Sequence, residues 1–254
     1  MSKLIDKLKM VEISSGPGMG FRTAAMTKGP SLLLIPRLSG LDAKSGAAVV
    51  EGGADAVMIG LGEALEKGKV RKSRVKALGG VPWGVWWEDQ SREDLESLGE
   101  GGGDFIVIEA AKTPAAVLCG EGPGRVLVIE TSLSDGLLRV VDLVSVDAVL
   151  LRGGLENQSA LTVEHLMTCQ RASAFIRKPL LVEVSLKIEG DDLKALAEVG
   201  VKGVVVGLAP QGVASGLKRL RRAIDEVPAP RRKNGANVAL PRVEVREEPQ
   251  EEDE

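Results

Sequence analysis

The stretches DFIVIE at residues 104–109 and RVLVIE at residues 125–130 decide the fold of this chain. Each is a short, nearly continuous apolar run that ends in Glu, and the second begins about 20 residues after the first. Runs of this length cannot span a membrane. Continuous rather than alternating hydrophobicity is typical of parallel strands that are buried on both faces beneath helices. We therefore interpret both stretches as buried parallel strands.

Further runs of the same kind lie on both sides of this pair, at intervals of about 20 to 25 residues. They are LLLIP from Leu32, DAVMIG from Asp55, VPWGVWW from Val81, DAVLLR from Asp147, PLLVEV from Pro179 and KGVVVGL from Lys202. Segments of helical composition separate them, such as GEALEKGKVRKSRVKALGG and DDLKALAEVG. Eight alternations of strand and helix predict a closed (β/α)8 barrel, an α/β fold in a single domain. An open doubly wound sheet with fewer strands would leave a long structureless loop.

The domain boundaries follow from the first and last of these strands. The barrel is predicted to occupy residues 31–227, and residues 1–30 are expected to form an N-terminal extension or a flap over the bottom of the barrel. Residues 228–254 combine Pro, Gly, Arg and a run of acids, a composition that cannot bury a core. We therefore expect an acidic, flexible C-terminal tail.

Composition and charge exclude several classes of function. The chain has no Tyr, only 3 Phe and 3 Trp, and a net charge of −3, so neither a nucleic acid nor an anionic membrane is an expected partner. Cys119 and Cys169 lie far apart and form no CxxC motif, which argues against a disulfide framework or a thiolate metal site. The charged start MSKLIDKLK has no hydrophobic signal region and predicts a cytoplasmic protein. The sequence leaves open whether the chain forms a homo-oligomer.

Charged residues end several of the predicted strands, where barrels of this class carry their active sites. They are Arg37, Glu109, Glu130, Arg152 and Glu183. Because side chains alternate along a strand, Val107 and Glu109 share one face. If these faces point inward, three carboxylates and two guanidiniums converge on the mouth, the carboxyl-terminal end of the barrel. Converging charges require pairing or a ligand, and carboxylates that share a mouth should have raised pKa values, as proton transfer requires.

These residue types suggest acid–base chemistry on an anion. We predict Glu109, Glu130 and Glu183 as the catalytic groups. The predicted substrate-binding residues are Arg37, Lys112, Arg152 and Gly207. Lys112 is the one lysine near a strand end, and we favour a substrate anchor or a loop residue over a Schiff-base nucleophile. A purely structural interpretation also exists, because Arg–Glu pairs between strands can simply close the top of a barrel.

No cofactor is firmly indicated. A Mg²⁺ or Mn²⁺ site formed by Glu88, Glu109 and Glu130 is one hypothesis, since consecutive strand ends bring carboxylate oxygens together. The sole histidine, His165, lies in a predicted helix with a half-buried face, and we expect it to be structural. With one histidine and no paired thiolates, the sequence argues against a zinc site.

The segment KPLLVEVSLKIEGDDLKALAEVGVKGVVVGLA resembles the phosphate-binding (β/α)8 barrels, which include the isomerases and cyclases of histidine and tryptophan biosynthesis and related aldolase-type barrels. The resemblance covers about 30 residues, with Gly200, Gly203 and Gly207 in the places the family expects. It implies a barrel fold and an anionic ligand. The chain departs from the family after strand seven, where it has Val184, Ser185 and Leu186 instead of a Ser-Gly-Gly turn that grips phosphate.

The sequence thus leads to two main hypotheses of function. The first is a lyase or isomerase that acts on a small anionic metabolite, with phosphorylation of the metabolite left open. The second is a barrel without catalysis that serves in binding or assembly, which the scarcity of His, Tyr, Ser and Asn at strand ends favours. A flavin-dependent oxidoreductase is a third alternative that gains no support from aromatic stacking elements. The fold alone does not choose among them.

Overall fold

The computed structural model describes residues 2–14, 30–66, 69–87, 92–154, 158, 160–208 and 213–228. Eight parallel strands form one closed barrel in which chain neighbours are also neighbours in space. They are β1 (Leu33–Leu38), β2 (Val57–Gly60), β3 (Trp83–Trp87), β4 (Phe105–Glu109), β5 (Gly124–Glu130), β6 (Ala148–Arg152), β7 (Leu180–Val184) and β8 (Val201–Leu208). β8 pairs with β1 and closes the ring. The predicted (β/α)8 barrel is confirmed, and each predicted run overlaps one of these strands.

Helices cover the outside of the barrel and one of its ends. They are α1 (Lys3–Ser14), α2 (Ala43–Glu51), α3 (Arg92–Glu100), α4 (Asp135–Val140), α5 (Val163–Phe175), α6 (Gly190–Glu198) and α7 (Val213–Glu226). Short 3-10 helices lie at Lys76–Leu78, Ala115–Leu118 and Val141–Leu143. The connection between β4 and β5 is described throughout and has only the 3-10 helix as a covering element. Among the described residues, no helix combines the length and the apolar character needed to cross a membrane.

The segment between β2 and β3, which has a helical composition in the sequence, is divided into several short elements in the structure. The structure has there two helical turns and two strands of an antiparallel hairpin: Leu61–Ala64, Leu65–Glu66, Lys69–Val70 and Lys72–Val75. Leu65 and Val70 pair with each other across the hairpin, so the chain reverses its direction between them. This reversal is incompatible with one continuous helix.

The barrel has two apolar layers that share the strands as their common wall. Alternate strand residues, such as Leu33, Val107 and Leu150, point into the barrel and form the inner cluster. Their neighbours, such as Leu34, Ile106 and Leu151, pack outward against the helices. Both faces of every strand are therefore buried, which explains why the strands are continuously apolar in sequence.

Helix α1 closes the base, the amino-terminal end of the barrel. Its residues Leu4, Ile5, Leu8 and Val11 are at most 5 % exposed and belong to the inner cluster. Asp104, directly before β4, accepts hydrogen bonds from the backbone N–H of Lys3 at 2.7 Å and of Leu4 at 2.9 Å. A side chain from the barrel thus satisfies the free amides at the start of the helix.

The approach of α1 to the barrel requires a glycine at the start of β5. A Cβ added at Gly124 would lie 2.8 Å from the Cβ of Ser2, closer than side-chain atoms approach one another. The hydroxyl of Ser2 donates to the Asp104 carboxylate at 2.9 Å, on the adjacent strand start. Gly124 therefore allows the helix to sit against the base.

Two more aspartates at strand starts bind the backbone of a neighbouring strand. Asp55 accepts the backbone N–H of Leu34 at 2.9 Å and also binds Arg221 of α7 at 2.9 Å. Asp147 accepts the backbone N–H of Arg125 at 2.8 Å. The acid that begins the runs DAVMIG, DFIVIE and DAVLLR thus has a structural function at the base.

The predicted extensions lie largely outside the described residues. Of residues 1–30 the structure describes 2–14 and 30, and of the predicted tail only Pro228.

Candidate active site at the barrel mouth

The mouth is formed by the last inward-pointing residue of each strand. In chain order these residues are Arg37, Gly60, Trp86, Glu109, Glu130, Arg152, Glu183 and Gly207. All five charged residues predicted at strand ends therefore face the same opening. The structure joins them by ion pairs and adds Lys112 at the rim.

The first ion pair joins Arg37 of β1 to Glu183 of β7. Arg37 Nη2 lies 2.6 Å from Glu183 Oε1, and the side chain of Glu183 is 1 % exposed while that of Arg37 is 41 % exposed. The pair reaches over β8, where Gly207 stands opposite Arg37 in the strand register. A Cβ at Gly207 would lie 3.6 Å from Arg37 Nη2, so any longer side chain would enter the path of the pair. Gly207 thus leaves room for an ion pair between strands that are not adjacent.

The second group of ion pairs is centred on Glu109 of β4. Its Oε1 lies 2.9 Å from Arg152 Nη1, and its Oε2 lies 2.8 Å from Lys112 Nζ. Glu130 is 68 % exposed and only loosely associated, with its Oε1 at 3.8 Å from Arg152 Nη2. Glu109 therefore holds two cations, whereas Glu130 and Lys112 lie at the edge of the site.

Trp86 forms the floor between these two groups, and the sequence analysis missed it. The guanidinium carbons of Arg37 and Arg152 each lie over its ring, 5.4 Å from the ring centroid. Its Nε1 donates to Glu109 Oε1 at 3.3 Å. Contacts of this type attract cations to the face of an indole. The available signal was its position one residue before the end of β3, where barrels of this class carry their active sites.

The pKa of Glu109 is lowered, whereas the sequence analysis predicts raised pKa values for carboxylates that share the mouth. Hydrogen bonding from Lys112 is the largest effect, and together with Arg152 it outweighs burial and lowers the pKa of Glu109 below its ordinary value of 4.5. The expected rise requires neighbouring carboxylates, but the neighbours of Glu109 are cations. Glu109 therefore stays ionised at neutral pH and is a weak base.

The described residues do not fit the divalent metal that was considered for Glu88, Glu109 and Glu130. Both oxygens of Glu109 are engaged by cationic side chains, which would repel a metal ion. Glu88 lies outside the described residues. Within the described part of the chain, no three His, Cys, Asp or Glu side chains are grouped so that they could hold a metal.

His165 and Cys169 lie in α5 and have no place in the mouth network. His165 Nδ1 accepts the backbone N–H of Thr162 at 3.1 Å and completes a capping box at the start of the helix. Burial raises the pKa of the Cys169 thiol to about 12, so this cysteine is not a nucleophile at neutral pH.

No protein-family model and no curated protein sequence matches the chain. Solved structures are similar in fold. The tryptophan synthase α-subunit from Pyrococcus furiosus is 17% identical, with a TM-score of 0.58 over 78% of this chain and 98% of that one. A thiamine phosphate pyrophosphorylase from the same organism is 16% identical, with a TM-score of 0.57 over 77% of this chain and 96% of that one. A protein from Aquifex aeolicus VF5 is 13% identical, with a TM-score of 0.62 over 89% of this chain and 100% of that one.

Likeness at these identities defines the fold alone. The chain is a (β/α)8-barrel protein with a base closed by a helix and a mouth lined by arginine–glutamate pairs.

Proposed function

We propose that the mouth is the active site of a lyase or isomerase that moves a proton on a small anionic metabolite. The observation that carries this proposal is the pair of Glu183, at 1 % side-chain exposure, with Arg37, at 41 %. A buried carboxylate that pairs with a partly exposed cation is a poor source of stability, because desolvation opposes the attraction. Its place at the carboxyl ends of the strands, where barrel enzymes carry out their chemistry, supports a catalytic use.

The contacts suggest a different task for each group. Arg37 and Arg152 bind the anion, since their guanidiniums are partly open to solvent. Glu183 transfers the proton. Its carboxylate lies 2.6 Å from Arg37 Nη2, so an anion that binds Arg37 is brought within reach of the proton-transferring group. Glu109, already neutralised by cations, positions Arg152, and the exposed Glu130 contacts the outer part of the substrate.

The nature of the anion is supported by two observations. The β7–β8 segment resembles phosphate-binding barrels, and a structural neighbour is named for thiamine phosphate. Gly207, exposed at the end of β8, allows a ligand to approach the backbone closely. We therefore include phosphorylated metabolites among the candidate substrates.

Proton transfer can be tested by NMR in D₂O with a panel of small sugar phosphates and keto acids. We expect the wild-type protein and Glu51→Gln, which changes a glutamate on the outer helices, to exchange a substrate C–H for deuterium or to convert the substrate, and Glu183→Gln to do neither. Thermal unfolding shows whether Glu183→Gln remains folded. Exchange that persists in folded Glu183→Gln would contradict the assignment of Glu183.

Anion binding can be tested separately by the melting temperature in phosphate, sulfate and sugar phosphates. A ligand at 100 times its dissociation constant stabilises the fold by about 2.7 kcal/mol, a shift of a few degrees. Arg152→Ala should abolish the shift. Lys218→Ala is the matched control, because this lysine pairs with Glu51 on the outer helices at 3.0 Å and lies away from the mouth. A shift lost in the control instead would place the anion outside the barrel.

The alternative, a binding or assembly protein without catalysis, is favoured by exposed apolar residues on the outer helices. Leu143 next to α4 is 84 % exposed, and Val163 and Met167 of α5 are 73 % and 67 % exposed. The two helices are adjacent, since Arg171 of α5 binds Asp135 of α4 at 2.6 Å. Exposed apolar groups of this kind can mark association surfaces. Sedimentation equilibrium of wild type and Leu143→Ser/Met167→Ser would show a concentration-dependent oligomer lost in the variant if this alternative holds.

A further inference from the structure

We propose that the mouth recognises a ligand with two anionic groups, one bound by Arg37 and the other by Arg152, and that Trp86 sets the spacing between them. This inference rests on the proposed anion-binding function of the mouth. It names the class of ligand as a short dicarboxylate or a phosphorylated carboxylate.

The two arginines are built in the same way. Each is held from one side by a largely buried glutamate that lies two strands away: Glu183 for Arg37 and Glu109 for Arg152. The glutamate side chains are 1 % and 13 % exposed, so they belong to the wall of the site. The mouth thus contains two anchored guanidiniums.

Each guanidinium keeps an edge available for a ligand. Arg37 uses Nη2 for Glu183, and the structure gives it no second ion pair among the described residues. Arg152 uses Nη1 for Glu109, and its Nη2 is 3.8 Å from Glu130, beyond hydrogen-bond range. A guanidinium presents its donors as a planar fork that fits the two oxygens of a carboxylate or a phosphate. The structure therefore offers two receptors for such groups.

Trp86 connects the two receptors. Because both guanidinium carbons lie 5.4 Å from the same ring centroid, they can be separated by no more than twice that distance. The ring is 8 % exposed and tied to Glu109 through Nε1, so it is a fixed element of the floor. Attraction of both cations to one ring also offsets their mutual repulsion. A short chain with an anionic group at each end matches this arrangement.

Two-point contact also favours a ligand with two anionic groups. Among the described residues, the cations Arg37, Lys112 and Arg152 are each paired with a carboxylate, so a ligand that reaches only one arginine has to compete with an existing ion pair. In a ligand with two anionic groups, binding of the first group holds the second at a high effective concentration near the other arginine. Only Glu130, exposed and loosely held, has to move away from Arg152.

The test compares ligands that differ in the number of anionic groups, by titration calorimetry at fixed ionic strength. The probes are acetate, phosphate, malonate, succinate, glutarate and phosphoglycolate. We expect at least one dicarboxylate or phosphoglycolate to bind tenfold or more tightly than acetate and phosphate. Arg37→Lys and Arg152→Lys should each reduce the affinity for that ligand to the affinity for acetate or phosphate. Lysine keeps the positive charge but lacks the planar fork of donors of a guanidinium.

Trp86→Leu tests the spacing. It should reduce the advantage of the doubly anionic ligands by tenfold or more and leave acetate and phosphate binding within about threefold of wild type. Trp86→Phe keeps a ring and should retain most of the advantage, which separates spacing from a general packing defect. Lys218→Ala removes one positive charge from the outer surface and should change no affinity in the series.

The outcomes distinguish this inference from the function on which it rests. If single and double anions bind equally well, two-point recognition is wrong while the anion site of the proposed function stands. The same holds if Trp86→Leu, folded by its thermal transition, keeps the full advantage of the double anions. If none of the probes binds, the proposed anion site and the two-point inference are both wrong.

Discussion

The two ends of the barrel use acidic residues in opposite ways. At the base, Asp104 and Asp147 accept hydrogen bonds from backbone amides, so their partners cannot leave while the chain stays folded. At the mouth, Glu109 and Glu183 face guanidiniums, which can exchange one anion for another. The same chemical group thus fixes the chain path at one end and holds an exchangeable cation at the other. Barrel enzymes as a class keep stability at the base and chemistry at the mouth.

The ends also differ in what fills them. The base is filled with the apolar side of α1, which includes Leu4 and Leu8 at 0 % exposure. The mouth contains a carboxylate at 1 % exposure and an indole under two cations. Burial of apolar surface contributes to folding, whereas burial of ion pairs contributes little or opposes it. Substitutions at the two ends should therefore separate stability from binding.

The largest effect on stability is expected at the base. Leu8→Ala should lower the free energy of unfolding by about 2–5 kcal/mol, because it leaves a cavity in the fully buried contact between α1 and the barrel. Urea unfolding measures this change. Leu143→Ala, at an 84 % exposed position, is the matched control and should stay within about 0.5 kcal/mol of wild type. If folded Leu8→Ala also lost the anion-induced shift in melting temperature, the two ends would not be independent.

The next effect concerns the buried pair at the mouth. Arg37→Met should lower stability by about 1–3 kcal/mol, less than the ~3–5 kcal/mol of a fully buried pair, since Arg37 is partly exposed. Arg37→Met/Glu183→Leu should return to within about 1 kcal/mol of wild type or exceed it, because the buried carboxylate is then removed together with the guanidinium that faces it. Both variants should lose the tighter binding of ligands with two anionic groups, because only Arg152 then remains to bind an anion. A double variant that is less stable than the single one would make the pair a stabilising element.

The strands and the direction of the mouth residues were predictable from sequence, whereas their partners were not. Continuous apolar runs place the strands, and alternation within DFIVIE puts Glu109 on the face of Phe105 and Val107, which the structure confirms as the inner face. The alternation of side chains along one strand does not show which residues on other strands they contact. Arg37 meets Glu183 over the vacant position at Gly207, a contact that requires the closed ring and its register.

The same limit explains three further differences. The pKa of Glu109 depends on which charges stand beside it, and the sequence pattern assembles carboxylates and cations without saying how they pair. The segment between β2 and β3 has a helical composition, and that composition does not reveal the pairing of Leu65 with Val70 that divides it into shorter elements. Trp86 was hidden among the three tryptophans of β3, which composition alone would assign to packing.

A smaller effect is expected when the cap of α1 is removed. Asp104→Ala deprives the amides of Lys3 and Leu4 of their acceptor and should lower the free energy of unfolding by about 1–2 kcal/mol. Urea unfolding again measures the change. Glu12→Ala removes an acid from the exposed side of the same helix and is expected to change stability by less than about 0.5 kcal/mol. Equal losses in both variants would mean that charge on α1 matters and the cap does not.

The smallest expected effect is the pH dependence that Glu109 gives to the free energy of unfolding. Because the folded pKa of Glu109 lies below its ordinary value of 4.5, the ionised form is favoured by folding. The resulting stability is fully present above pH ~4.5 and is lost as the pH falls through the folded pKa. Near pH 7 the free energy of unfolding of the wild type should exceed that of Glu109→Gln by about 0.2–1 kcal/mol, the range of partly exposed ion pairs. This difference should become smaller below pH ~4.5.

Lysine 112 provides the control for that titration, since its hydrogen bond is the largest cause of the lowered pKa of Glu109. When Lys112→Met is already present, Glu109→Gln should lower the free energy of unfolding by a smaller amount at neutral pH than it does in the wild-type protein. The reason is that Arg152 is then the cation that still pairs with the Glu109 carboxylate. Unfolding curves in urea between pH 3 and pH 7 measure all four proteins. A gap that widened on acidification would mean that folding raises the pKa of Glu109. In that case Glu109 would be suited to donate a proton, as is proposed for Glu183. The assignment of Glu109 to positioning Arg152 and of Glu183 to proton transfer would then be wrong.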